Sequence, residues 1–246
     1  NVKLYIMLSN DKESIYPEYY PTYYIPNNNI SRLEQVKELL YKIPNIKVIS
    51  PTKKLKESKK YMLFLPYDTH LNAYGAFIEY SEIISELKKA YPKLQAVKFS
   101  EIKIKQSESR GDSVPPQKYI NKKYEFNDSI QLNKPLSTMI NNFIVNSKQY
   151  SYREFFNNKT NNNLKVIIIG DSFHNRYLRL LAQNFYSVKS IFIGNGDNFI
   201  LDEATKKLLF QEKPDILIIE TTERFLSRLL EFDSFFNIFD SKYRSN

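Results

Sequence analysis

The sequence predicts an α/β fold with a mainly parallel sheet. Three observations carry this: after residue 164 β-branched apolar runs alternate with stretches of helical periodicity, residues 1–50 open in a β-loop-α-β pattern, and small polar residues recur where an apolar run ends. Strands that alternate with helices imply βαβ units, and these impose parallel pairing.

Taken in order, "VKLYIML" reads as the first strand and "SNDKESIYPEYYPTYYIPNNN" as a long Pro- and Tyr-rich loop. "SRLEQVKELLYKI" places Leu33, Val36, Leu39, Leu40 and Ile43 at helical spacing, with Ser31 as N-cap and Glu34 completing a capping box. "IKVIS" follows as a strand, and "KYMLFLP" (60–66) is read as another, ended by Pro66. A helix spans about residues 73–90 with Ala76, Tyr80, Ile83, Ile84 and Leu87 on one face. Residues 97–163 are the least regular stretch and read as an insertion on a single 1–246 domain. Its "RGDS" matches an adhesion tetrapeptide, but four residues recur by chance. From residue 164 the order is strand "KVIIIG", a helix to about Phe185, strand "VKSIFIG", helix "DEATKKLLFQ", strand "DILIIET" and helix "ERFLSRLLEF".

Composition narrows the chemistry. With no Cys the chain has no disulfide, thiol nucleophile or Cys-ligated metal, and its compartment is left open. A net charge of +9 favours anionic surroundings, such as an acidic polysaccharide or a membrane or wall surface. No aromatic-basic platform accompanies it, so no nucleic-acid partner is expected. No apolar run approaches the roughly 18 residues of a membrane span. The chain begins at Asn1, already inside a strand, so an upstream signal or anchor is expected.

In a parallel sheet, ligands bind beyond the carboxyl ends of the strands. Ser172, Asn195 and Thr222 each follow a strand end and should share one edge. Ser172 in "GDSF" is either a helix cap or a nucleophile. Of the two histidines, His174 falls in the first helical turn, pointing away from Ser172, whereas His70 follows Asp68 in "DTH". An Asp-x-His turn lets the carboxylate accept the Nδ1 proton and leaves Nε2 to act as a base. Singly, "DTH" and "GDS" read as a turn and a cap; together, each after an apolar run, they supply the parts of a nucleophilic site. Metal binding by Asp68, His70 and Asp171 is the weaker reading, because no second histidine converges on them. For an oxyanion, the Ser172 amide is the first candidate donor, with Asn195 or the Gly194 amide suggested by strand-end position.

The segments "SNDKESIYPEYYP", "YDTHLNAYGAF", "IIIGDSF" and "KPDILIIETTERFL" resemble the alginate O-acetyltransferase family, a branch of the SGNH-hydrolase superfamily, over about residues 8–228. The resemblance implies a three-layer α/β/α flavodoxin-like domain with Ser172 as nucleophile, His70 as general base and Asp68 as its orienting partner. The order is specific to this branch, since most SGNH enzymes carry their His block after the Ser. Leu71 stands where the family commonly has Trp and is expected to line the acceptor side. The family's Gly-Asp-Leu block appears as Gly111-Asp112-Ser113. Arg224, in a family-like Glu-Arg pair, is assigned either ligand contact or a salt bridge.

The implied activity is O-acetylation of an exported polysaccharide through an acetyl-serine, without cofactor or resident metal, in an extracytoplasmic compartment and with acetyl supplied by a membrane acyltransferase. A carbohydrate acetylesterase uses the same triad with water as acceptor, and a non-catalytic polysaccharide-binding module would keep only the fold.

Overall fold

The computed structural model describes residues 2–23, 30–109, 111–113, 125–145, 150–194 and 211–231. In chain order the elements are β1 (Lys3–Ser9), α1 (Lys12–Ile15), α2 (Arg32–Leu40), β2 (Ile46–Ile49), α3 (Thr52–Glu57), α4 (Ala73–Lys88), β3 (Ile102–Ser109), β4 (Glu125–Leu132), β5 (Thr138–Val145), β6 (Tyr150–Phe156), β7 (Lys165–Gly170), α5 (His174–Leu181), β8 (Ser187–Phe192) and β9 (Ile216–Thr222).

The central strands β1, β7 and β9 are apolar on both faces, as a parallel sheet covered on both sides requires. Tyr5, Met7, Val166, Ile168, Ile216 and Ile218 face a cluster that holds Ala76, Tyr80, Ile83, Ile84 and Leu87 of α4 and Tyr177, Leu178 and Leu181 of α5. Their alternates Leu4, Ile6, Leu8, Ile167, Ile169, Leu217 and Ile219 pack on the other side with Leu33 and Leu40 of α2. This gives three layers. The seven-stranded sheet runs β2-β1-β9-β7-β8-β6-β5, and β3-β4 form a separate two-stranded sheet. Pairing is parallel from β2 through β8, while β6 joins β8 and β5 joins β6 antiparallel. The irregular 97–163 stretch therefore supplies both the separate hairpin and the last two strands, β6 and β5, at one end of the main sheet.

The expected strand at 60–66 is absent from the sheet. Leu63, Phe64 and Leu65 are buried, but only one bridge, Phe64 to Leu71, forms. Both neighbours of β1 in the sheet are already β2 and β9, so the run folds back on itself. Leu65 N donates to His70 O (3.1 Å) and Asn72 N to Leu63 O (2.9 Å). The expected helix after β9 is broken into a 3₁₀ turn, Glu223–Phe225, and a short helix, Arg228–Glu231. The helix expected over 202–211 falls almost wholly outside the described residues. Helix α2 starts where its cap predicts, Ser31 Oγ accepting from Glu34 N (3.1 Å), but Leu39 and Ile43 point outward. Helix α4 is capped by Asn72, whose Oδ1 accepts from Gly75 N (2.9 Å). Among the described residues, no helix is long and apolar enough to cross a membrane.

Candidate active site

The carboxyl ends of β1, β9, β7 and β8 lie at one edge, where Ser9 pairs with Thr222 and Gly170 with Phe192. Ser172 leaves this edge two residues after β7. The tight 63–72 loop, joined to α4 by the Asn72 cap, brings His70 to it. His70 Nε2 is 2.7 Å from Ser172 Oγ and Nδ1 is 2.6 Å from Asp68 Oδ1. The same Asp68 oxygen accepts from the His70 amide at 2.8 Å, so one carboxylate fixes both the ring and its backbone. Burial acts to raise the Asp68 pKa, but these hydrogen bonds from His70 outweigh it and hold it at about 2. Asp68 is therefore a carboxylate at neutral pH. The His70 ring also lies 5.5 Å from that of Phe173.

Ser172 is not the cap of the following helix. Helix α5 begins at His174, Phe173 occupies its N-cap position, and no side chain caps it. Asp171 supplies the punctuation instead: its Oδ1 accepts from Phe173 N (3.0 Å), and its Oδ2 accepts from Thr222 N (2.9 Å) and Thr222 Oγ1 (2.7 Å). The Asp171 amide in turn donates to Glu220 Oε2 at 3.0 Å. Asp171 is thus tied to β9, and Phe173 is tied to Asp171. Burial raises the Glu220 pKa well above its usual value and pushes Glu79 to about 8, so Glu79 is mainly protonated at pH 7. His174 is fully buried beside Glu220; its Nε2 is 2.8 Å from Ser190 Oγ, and burial, reinforced by Arg153, lowers its pKa to about 3. It is a neutral core residue that faces Ser190 and Glu220 rather than Ser172.

Arg176 links the two halves of the site. From α5 its Nε donates to Leu71 O (2.8 Å) and its Nη2 to Asp128 Oδ1 (3.1 Å), while Asp128 Oδ1 also accepts from Ala73 N (2.7 Å) at the start of α4. Reading the sequence missed this pair; a basic residue on the helix that follows Ser172 was its only signal. Beside it opens a cavity of about 400 Å³ lined by polar and charged side chains including Lys105, Gln131, Asn175 and Arg179.

The remaining expectations fare differently. Leu71 has no exposed surface and packs in the core, turned inward by its bridge to Phe64, so it does not line an acceptor cleft. Gly194 is buried just beyond β8 at the expected edge, with a positive φ of 71° that suits glycine. Asn195 lies outside the described residues. Arg224 is engaged by Asp11, its Nε donating to Asp11 Oδ1 at 2.6 Å, and its guanidinium stands 5.6 Å from the Phe173 ring, which matches the salt-bridge alternative. Ligand atoms of Asp68, His70 and Asp112 lie within 4.8 Å of one another, yet a cation there would displace the proton shared by Nδ1 and Asp68.

Several solved structures share the fold. Bacillus cereus PatB1 with a sulfonyl adduct has a TM-score of 0.69 at 12% identity, covering 91% of this chain and 82% of that one. A DHHW family protein from Eubacterium siraeum has a TM-score of 0.65 at 11% identity, covering 90% and 78%. The O-acetyltransferase domain of Pseudomonas putida AlgJ has a TM-score of 0.60 at 14% identity, covering 92% and 77%. No curated protein matches the sequence. Residues 1–220 match the family described as the SGNH hydrolase-like domain of acetyltransferase AlgX. With nearly its whole length matched, the chain belongs to this acetyltransferase family.

Proposed function

We propose that the chain is a serine-dependent O-acetyltransferase that esterifies hydroxyl groups of an exported polysaccharide. The observation that carries this reading is the continuous Asp68–His70–Ser172 hydrogen-bonded chain at the strand-end edge, with spacings of 2.6 and 2.7 Å. Membership of an acetyltransferase family and likeness to an O-acetyltransferase domain support the acyl group.

In the proposed reaction His70 Nε2 takes the Ser172 proton as Oγ attacks the acetyl carbonyl. The tetrahedral intermediate collapses, the donor's leaving group takes that proton from His70, and acetyl-Ser172 remains. A sugar hydroxyl then gives its proton to Nε2 and attacks the acetyl carbonyl; the bond to Ser172 Oγ breaks, Nε2 returns the proton to Oγ, and the sugar departs as the ester. Asp68 keeps Nδ1 protonated and the ring aimed, without itself taking a proton. The Ser172 amide, in the turn that follows β7, is the first donor proposed for the oxyanion. The cavity beside Arg176 is the proposed acceptor side. Work on an exported polymer makes an extracytoplasmic location, an acetyl supply from a membrane acyltransferase and an anchor outside this chain part of the same proposal.

Incubation with a serine-reactive fluorophosphonate, followed by peptide mass mapping, tests it. Modification confined to the peptide holding Ser172, and lost in Ser172→Ala, is expected; an unlabelled Ser172 in folded protein sinks the reading. Product analysis with an activated acetyl ester and oligosaccharides then separates sugar acetylation from hydrolysis, the outcome that marks an acetylesterase.

A further inference from the structure

The short stretch Gly111–Ser113 crosses the Asp68–His70 turn, and its carboxylate has no place in the reaction drawn above. Ser113 N donates to Tyr67 O at 3.1 Å and Asp112 N to Asp68 Oδ2 at 3.3 Å. Thr69, the residue between Asp68 and His70, donates its amide to Asp112 Oδ1 (2.7 Å) and its hydroxyl to Asp112 Oδ2. The second oxygen of Asp112 also stands 3.5 Å from His70 Nδ1. The Asp68–Thr69–His70 turn is therefore held at every residue, and the imidazole nitrogen that faces Asp68 faces a second carboxylate as well.

We propose that Asp112 is a positioning residue for the acyl transfer, acting through His70 as a second carboxylate on Nδ1. The proposal rests on the serine-dependent reading. When His70 accepts the Ser172 proton, the Oγ–H bond breaks, an Nε2–H bond forms, and the ring becomes a cation whose Nδ1–H stays in place. Neither carboxylate takes a proton. Negative charge within a few ångströms favours that cation in the transition state more than the neutral ring in the ground state, which is the differential stabilisation a rate gain requires. Among the described residues, the charged groups around this nitrogen are Asp68 and Asp112, with Arg176 acting on Asp68 from α5. Arg176 is already committed to Leu71 O and Asp128. Asp112 is 42% exposed on its side chain, so solvent screens it, and its effect should be well below that of Asp68.

The geometry makes a sharper statement about Asp68. At 3.5 Å, Asp112 is close enough to receive the Nδ1 proton's hydrogen bond after a small ring rotation, so removing Asp68 should not strip the histidine of a carboxylate. The test measures acetylation of Ser172 by p-nitrophenyl acetate in the full chain, with thermal melting as a control. Asp112→Asn keeps Oδ1 for the Thr69 amide but loses the charge; it should lower the acylation rate about 10-fold with KM and melting temperature little changed, and Asp112→Glu should recover part of it. Asp68→Asn should cost about 10²-fold, and Asp68→Asn with Asp112→Asn about 10⁴-fold, the loss expected when a triad histidine has no carboxylate. Asp112→Asn at the wild-type rate, or Asp68→Asn alone as slow as the double variant, would overturn the proposal and leave Asp112 a loop tether. If wild-type Ser172 is never acylated, the serine-dependent reading fails and this proposal falls with it; Ser172 acylated at equal rates with and without the Asp112 charge defeats the proposal alone.

Discussion

The two histidines have opposite environments, and the difference sets what each substitution should do. His70 spans two oxygens at an open edge, while His174 is enclosed with Ser190 and Glu220. His70→Ala should abolish acylation of Ser172 and leave melting nearly unchanged. His174→Ala removes a fully buried ring and its hydrogen bond, and should lower stability by about 2–4 kcal/mol in denaturant unfolding. Buried Glu79 and His174 give stability a pH dependence of known sign. Glu79 ionises near pH 8 when folded, well above its unfolded value, so the folded state holds the extra proton between. Its contribution is fully present below about pH 4.5 and is lost as pH rises through 8. His174, with its folded pKa lowered to about 3, acts oppositely and penalises stability as pH falls below about 6.5. In Glu79→Gln, the drop in melting temperature between pH 5 and pH 8 should shrink, by an amount on the order of a few kcal/mol in stability. An unaltered drop would mean that Glu79 does not carry it.

Between elements, the Arg176 bridge is the contact on which the site's assembly depends. It runs from α5, two residues beyond the start of that helix, to Leu71 O in the loop that holds His70, and to the Asp128 carboxylate at the head of α4. Arg176→Ala should reduce acylation of Ser172 by about 10- to 100-fold through misplacement of His70. Arg176→Lys should not restore it, because an ammonium cannot reproduce the fork; full activity in either variant would show that the loop holds its place unaided. Gly75 marks a second close approach. A Cβ there would collide with Leu63 O and come within 2.7 Å of Leu71 Cδ2, so Gly75→Ala should push the same loop outward and destabilise the fold by about 1–3 kcal/mol. Neither dependence was visible in the sequence. Ser31 and the repeating apolar face of α4 were legible because caps and helical spacing are local properties. The 60–66 run misled because a short continuous apolar stretch is consistent with any buried backbone, and periodicity cannot choose among strand, helix and packed loop. Leu71 misled for a related reason: a family position gives a neighbourhood, whereas the inward turn of its side chain is decided by the Phe64 bridge.

For the molecule as a whole, the parallel sheet and its candidate edge were legible because β1, β7 and β9 carry continuous apolar runs, each followed by polar residues or a Gly-Asp-Ser turn. The meeting of His70 with Ser172 across 102 positions was readable only through the order of its motifs, since spacing carries no tertiary distance. The net charge of +9 yields a test of the whole surface. If the polymer is anionic, acetyl transfer to it should fall as salt rises from 50 to about 500 mM, while hydrolysis of a small neutral ester should not, because screening weakens only the charged encounter; parallel salt curves would exclude that electrostatic contribution. The 63–72 loop has a different consequence. Ser172 extends from a central strand bonded on both sides, whereas Asp68 and His70 ride on a loop outside the sheet, held by its own bridge and by side chains and the short 111–113 stretch. The two halves of the proposed triad therefore belong to units of unequal resistance to local opening. Mild denaturant should extinguish acylation while the amides of β7 and β9 still resist hydrogen exchange, and the amides of residues 67–72 should exchange first.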